Sequence, residues 1–249
     1  MSLKRNILAN YLGHGWSAVM QLAFIPLYIQ YLGMESYGLI GVYATLQAGF
    51  LLLDMGMAPT LNREMARYAA GAHSARSIRE LLRSLELIFA GVAALIICIV
   101  WGASDWFALH WVKVEKLPLD AVSDAFAIMG VVAALRLVEN VYRGAILGLQ
   151  TQVWLNAATA ILATLRWLGA VGVLAWVSQT IVAFFIWQGC ISLLTVIVFA
   201  LRVHRVIPAV QQVHFSKSAV AGVWEFARGM ILTMVLALIL THTDKILLS

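Results

Sequence analysis

Residues 153–201 read VWLNAATAILATLRWLGAVGVLAWVSQTIVAFFIWQGCISLLTVIVFAL, two apolar runs parted by Ser178–Thr180, with Arg166 as their single charge. A transmembrane helix needs about 20 predominantly apolar residues, and each run reaches that length. Such a pair predicts a helical hairpin in a bilayer, because three polar residues suffice to turn the chain between antiparallel neighbours. The same pattern extends in both directions. Of the 249 residues, 62% are apolar and 12% charged, with a mean hydropathy of +0.89. Soluble domains are roughly 45–50% apolar and about 25% charged, so a water-soluble globule is excluded, as is a disordered or disulfide-stapled chain. Cys98 and Cys190 lie inside apolar segments without metal-like spacing.

Seven candidate spans follow: Leu8–Tyr31, Gly38–Ala58, Leu85–Ser104, Asp124–Gly148, Val153–Val177, Ile181–Leu201 and Phe226–Ser249. Short connections at Leu32–Tyr37, Leu149–Gln152 and Ser178–Thr180 alternate with longer ones at Pro59–Ser84, Asp105–Ser123 and Arg202–Glu225. Cytoplasmic loops carry an excess of Lys and Arg. With a cytoplasmic N-terminus, 12 of the 17 basic residues fall inside, Lys113 and Lys116 fall outside, and Arg136, Arg166 and Lys245 lie at membrane depth. The net charge of +5 therefore reflects topology rather than a nucleic-acid partner. Within Pro59–Ser84, Arg76, Arg79 and Arg83 share one helix face and Ile78, Leu81, Leu82 and Leu85 another, which predicts an interfacial helix leading into the third span. Trp106, Phe107 and Trp111 in the outer loop fit interface anchors.

Function is read from polar groups where lipid penalises them, since a charge at the bilayer centre costs at least about 2.5–3.5 kcal/mol. Arg136, Glu139 and Arg143 recur at i, i+3 and i+7 in the fourth span, and Asn156, Thr159 and Arg166 share a face of the fifth. The first span carries Asn10, His14, Ser17, Gln21 and Tyr28. The second carries Tyr43, Gln47 and Asp54, the sixth Gln188, Ser192 and Thr195, and the seventh Thr241, Asp244 and Lys245. Polar faces on so many helices call for a common wet interior. Guanidinium groups there suit an anion, because the planar fork stays charged and bonds phosphate or carboxylate bidentately. Arg136, Arg166, Asn10, His14, Gln21, Gln47, Glu139, Asn156 and Gln188 are thus candidate substrate contacts, and His14, Asp54 and Asp244 candidate ion- or proton-coupling groups. Plainer roles fit some of them. Arg136 and Glu139 fit a pair that joins helices, Asp54 a helix cap, and His14 a packed histidine.

The stretches IPLYIQYLGMESYGLIGVY (residues 25–43) and LLLDMGMAPTLNREMARYAAG (residues 51–71), with YRGAILGLQ (142–150) and the final WEFARGMILTMVLALILTHTDKILLS, resemble the Wzx-type oligosaccharide flippases of the polysaccharide biosynthesis protein family, within the multidrug/oligosaccharidyl-lipid/polysaccharide exporter superfamily. The most specific piece is Leu32, Gly33, Glu35, Tyr37 and Gly38, followed by Asp54 and Gly56. The resemblance implies an all-α polytopic membrane protein of about twelve helices in two six-helix lobes. Here that means a transmembrane lobe over 1–201, an inter-lobe connection over 202–225 and the first helix of a truncated second lobe over 226–249. It further implies alternating-access transport of undecaprenyl-pyrophosphate-linked sugars across the bacterial inner membrane for O-antigen or capsule synthesis. Membrane lipids and other polysaccharide assembly proteins would be its partners. Alternatives are a multidrug exporter, disfavoured by the arginine excess, and a membrane enzyme acting on lipid-linked sugars. No phosphate-binding loop, zinc motif or catalytic triad pattern occurs in the sequence, and no cofactor is expected.

Overall fold

The computed structural model describes residues 11, 15–51, 54, 56–110, 117–210, 214–217, 220–222 and 229. Its principal helices are α1 (Gly15–Ala23), α2 (Ile25–Leu51), α3 (Met57–Ala69), α4 (Ala75–His110), α5 (Leu119–Gly148), α6 (Gln152–Trp176) and α7 (Ile181–Val206). Helices α4 to α7 are each long and apolar enough to cross a membrane, and the bent pair α1–α2 adds a further candidate. The protein is an all-α, polytopic membrane protein.

Local chemistry sets the breaks. Pro26 lacks the N–H that a helix interior requires and disfavours helical geometry in the residue before it. The chain accordingly breaks after Ala23 and bends by 47°. Inside α2, Gly33 takes φ 79° and ψ 165°, a conformation that side chains resist. With α5 as a ruler, Ser17 and Gln21 lie level with Arg136 to Arg143, Leu32 to Ser36 lie beside Leu117, and Gln47 and Phe50 return to Ala133 and Leu137. The chain therefore reverses at Gly33, within the turn expected at Leu32–Tyr37. The turns between α5 and α6 and between α6 and α7 also fall where the sequence puts them. At the second, Thr180 caps α7 by accepting the Ala183 N–H at 3.3 Å.

Several expectations change. The Pro59–Ser84 connection is mostly helical, with α3 as a separate helix. The basic segment Arg76–Arg83 is no independent interfacial helix but the opening turns of a continuous 36-residue α4. At 1.5 Å per residue that helix is about 54 Å long, against about 30 Å of hydrocarbon. The third span runs on to His110, so Trp106 and Phe107 belong to α4 rather than to the outer loop; the fourth starts at Leu119 rather than Asp124, and the sixth runs on to Val206, past the expected boundary at 201. Residues 226–249, apart from Gly229, lie outside the described residues.

Helix α5 is the hub. Its small residues let neighbours come close: a Cβ on Gly130 would sit 2.7 Å from Val100 of α4, one on Gly144 would fall against the Ala58 carbonyl, and one on Gly148 against the Asn62 carbonyl of α3. The buried apolar side chains form two clusters. One joins α3, α4, α5 and α7 around Leu61, Leu85, Val141 and Phe199. The other, rich in aromatics, gathers Tyr28, Phe126, Phe184 and Phe185 toward the opposite end. Between them on α7 run Gln188, Ser192 and Thr195, all buried.

At the arginine-rich end, Arg79 of α4 donates to the carbonyls of His204 (3.1 Å), Ile207 and Pro208 (2.6 Å). Those oxygens belong to the last turn of α7 and the residues beyond it, where no intrahelical donor remains. Glu86, about two turns along α4 from Arg79, accepts from Tyr142 Oη at 2.9 Å and lies 2.9 Å from His204 Nε2. The Ser216 N–H donates to Ser84 Oγ at 2.9 Å. The segment after α7 is thus fastened along α4.

Candidate functional site

The polar layer opens into a cavity of about 240 Å³ among α1, α5, α6 and α7. Ser17, Gln21, Arg136, Glu139, Arg143, Thr159, Arg166 and Thr195 supply its polar wall, with Trp167 and Phe199 among its apolar lining.

Two arrangements of guanidinium coexist there. On α5 the i, i+3, i+7 spacing puts Arg136, Glu139 and Arg143 on one face. Arg136 Nη1 donates to Glu139 Oε2 at 3.4 Å and Arg143 Nη2 to Glu139 Oε1 at 3.3 Å. Charge-assisted N–H···O bonds usually measure about 2.7–2.9 Å; one carboxylate stretched between two guanidiniums closes tightly on neither. On α6, Arg166 is only 4% exposed. Its Nη1 donates to Ser192 Oγ at 3.2 Å and its Nη2 to Thr195 Oγ1 at 3.4 Å. Thr195 in turn donates to the Ile191 carbonyl at 2.7 Å, which fixes its hydroxyl as an acceptor for the arginine. Among the described residues three guanidiniums and one carboxylate line the cavity, a formal surplus of two positive charges. Arg136 Nε and Thr159 Oγ1 are buried without a hydrogen-bond partner among the described residues. The arrangement offers convergent donors and positive charge to an anion.

Of the sequence candidates, Gln21, Arg136, Glu139 and Arg166 meet in this cavity. Gln47 does not line it; it faces a small gap shared with Ala133, Arg136 and Leu137. Asn156 is likewise outside the cavity wall. Gln188 is buried about one turn from Ser192, and its Nε2 has no partner among the described residues. Asp54 sits away from the cavity and accepts the Ala58 N–H with both oxygens, at 3.2 and 3.3 Å, serving the open N-terminus of α3. Burial pushes its carboxyl above the ordinary value, while that N–H bond pulls the other way. Asn10, His14 and Asp244 lie outside the described residues.

Arg143 is not among the sequence candidates, although its i+4 spacing from Glu139 is visible in the sequence, and it joins the cavity wall. The tryptophans divide. Trp167 lines the cavity, Trp154 stacks on Arg202 at 5.1 Å, and Trp187 Nε1 reaches the carbonyls of Leu165 and Arg166 at 3.3 and 3.2 Å, closing over Gly169. Among the described residues no group of three or more His, Cys, Asp or Glu side chains could hold a metal ion. Compared with protein-family models, with curated proteins and with solved structures, the chain matches none.

Proposed function

We propose that the chain forms a lobe of a membrane transporter for an anionic, lipid-linked sugar, in the manner of a flippase moving polyprenyl-pyrophosphate-linked oligosaccharide from the cytoplasmic to the periplasmic leaflet of a bacterial inner membrane. The observation that carries this is the surplus of guanidinium in a cavity between membrane-length helices, with Arg166 hydrogen-bonded, among the described residues, to hydroxyls alone. A solid bundle would neutralise such groups, because uncompensated charge away from water is costly. Arg166 and Arg136 would hold the pyrophosphate. The cavity's Ser17, Gln21 and Thr159 would face the sugar, and Trp167 would offer a stacking surface. The sequence resemblance to Wzx-type flippases points the same way, and the cationic lining disfavours an exporter of organic cations.

The test is transport of a fluorescent polyprenyl-pyrophosphate sugar by the full chain in proteoliposomes, alongside restoration of surface polysaccharide in cells. Arg166→Ala and Arg136→Ala are expected to lower transport at least tenfold, and the Lys variants to retain part of it. Ala variants that transport at the wild-type rate, at equal expression, would overturn the proposal.

A further inference from the structure

We propose that Glu139 is a built-in competitor for the transported anion: its carboxylate, held between Arg136 and Arg143, engages the Arg136 guanidinium that the anion needs together with Arg166, and it gives up that hold when the anion binds. This rests on the reading of the cavity as an anion site and adds how that site lets go of its load.

Glu139 is 3% exposed and bridges two guanidiniums with long bonds, one per oxygen. A carboxylate and a phosphate ask for the same planar fork of donors, so an anion entering the cavity meets arginines already engaged by a chemical equivalent. The charged and titratable groups around Glu139 are Arg136 and Arg143 on its own helix, Arg166 from α6 and Tyr43 from α2. On the cavity wall α1 brings Ser17 and Gln21, and α7 brings Thr195 and Phe199. Among the described cavity residues Glu139 is thus the one anion set against three cations. Transport requires binding strong enough to load and weak enough to unload. A tethered carboxylate achieves the second by re-forming its own pairs as the anion departs.

Inorganic pyrophosphate is the probe, titrated calorimetrically into the purified full chain in detergent. Glu139→Gln removes a negative charge from within a few ångströms of the bound anion. Binding is expected to tighten at least about tenfold, while the transport turnover of the lipid-linked substrate falls. Glu139→Asp keeps the charge and should stay within about threefold of wild type. In the unaltered protein, pyrophosphate should shift the carboxylate stretching band in difference infrared spectra, a readout that does not depend on a variant folding. A wild type that binds no pyrophosphate overturns both this inference and the transport reading. A wild type that binds, and loses binding in Arg166→Ala, yet shows no carboxylate shift and no tightening in Glu139→Gln, overturns this inference alone.

Discussion

Helix α5 has two flanks built on opposite principles. The flank toward α3 and α4 is dry and close: Gly130, Ala134, Gly144, Ala145 and Gly148 admit neighbouring backbones and branched side chains. The flank toward α1 and α6 carries Arg136, Glu139 and Arg143 and stands back from those two neighbours by a cavity, while α7 packs on α5 through the apolar clusters at either end of it. Without a hydrophobic force between helices in lipid, association depends on close packing and on polar contacts. The contrast teaches that one flank supplies cohesion so that the other can remain open. Stability and ligand chemistry should therefore respond separately to substitution.

The strongest way to break that contrast is to overfill the dry flank. Gly148→Val would press a branched side chain on the Asn62 carbonyl, with backbone rather than a flexible side chain having to move. A loss of about 3 kcal/mol is expected, at the upper end for overpacking, read as a lower thermal midpoint in detergent. Gly172→Ala, whose Cβ would meet only the Trp176 ring at 3.5 Å, should be neutral or slightly stabilising. Equal effects of the two would show that the glycines are not what brings α3 against α5.

On the open flank, Arg166→Met should abolish pyrophosphate binding and yet alter stability by only about 1 kcal/mol. The variant removes the cost of keeping a charge away from water and gives up two hydrogen bonds to hydroxyls. A large stability loss with binding retained would mean that Arg166 is a strut of the bundle and would erase the distinction between flanks.

The smallest effect concerns Asp54, at the start of the helix that docks on the dry flank. Its carboxyl is raised by burial in the folded chain, so the unfolded chain ionises first as pH rises. The group withdraws stability above its unfolded value of about 3.9 and withdraws none well below it. Asp54→Asn keeps an oxygen for the Ala58 N–H. It should match the wild type near pH 3.5 and exceed it by less than about 1 kcal/mol at pH 7, measured as a difference in thermal midpoint. A variant less stable at pH 7 would show that the ionised cap matters more than its burial.

The open flank was legible in the sequence because its signal is chemical: Arg136, Glu139 and Arg143 stand out against apolar neighbours at helical spacing, and Arg166 is the sole charge in 49 residues. The turns at Leu149–Gln152 and Ser178–Thr180 were legible from polar punctuation. The dry flank was not. Docking of α3 works through the carbonyls of Ala58 and Asn62 against missing side chains on α5, and a missing side chain has no hydrophobic pattern. The partners of Arg166 were each visible as polar residues on the sixth span, but only the packing of α6 on α7 sets Ser192 and Thr195 opposite it. The merger of Arg76–Arg83 into α4 was hidden for a different reason. An amphipathic stretch followed by an apolar one reads as two elements, and continuity depends on the absence of any breaker between them.

That merger has a mechanical consequence. A rod of about 54 Å in a layer of about 30 Å leaves an overhang, and here the overhang grips the end of α7 through Arg79. A tilt of α4 inside the bilayer is therefore magnified at its free end, as by an oar in its lock. The pull would reach α7, whose Ser192 and Thr195 hold Arg166, so motion in the lipid-facing helix and the grip on the cavity's buried charge share one linkage.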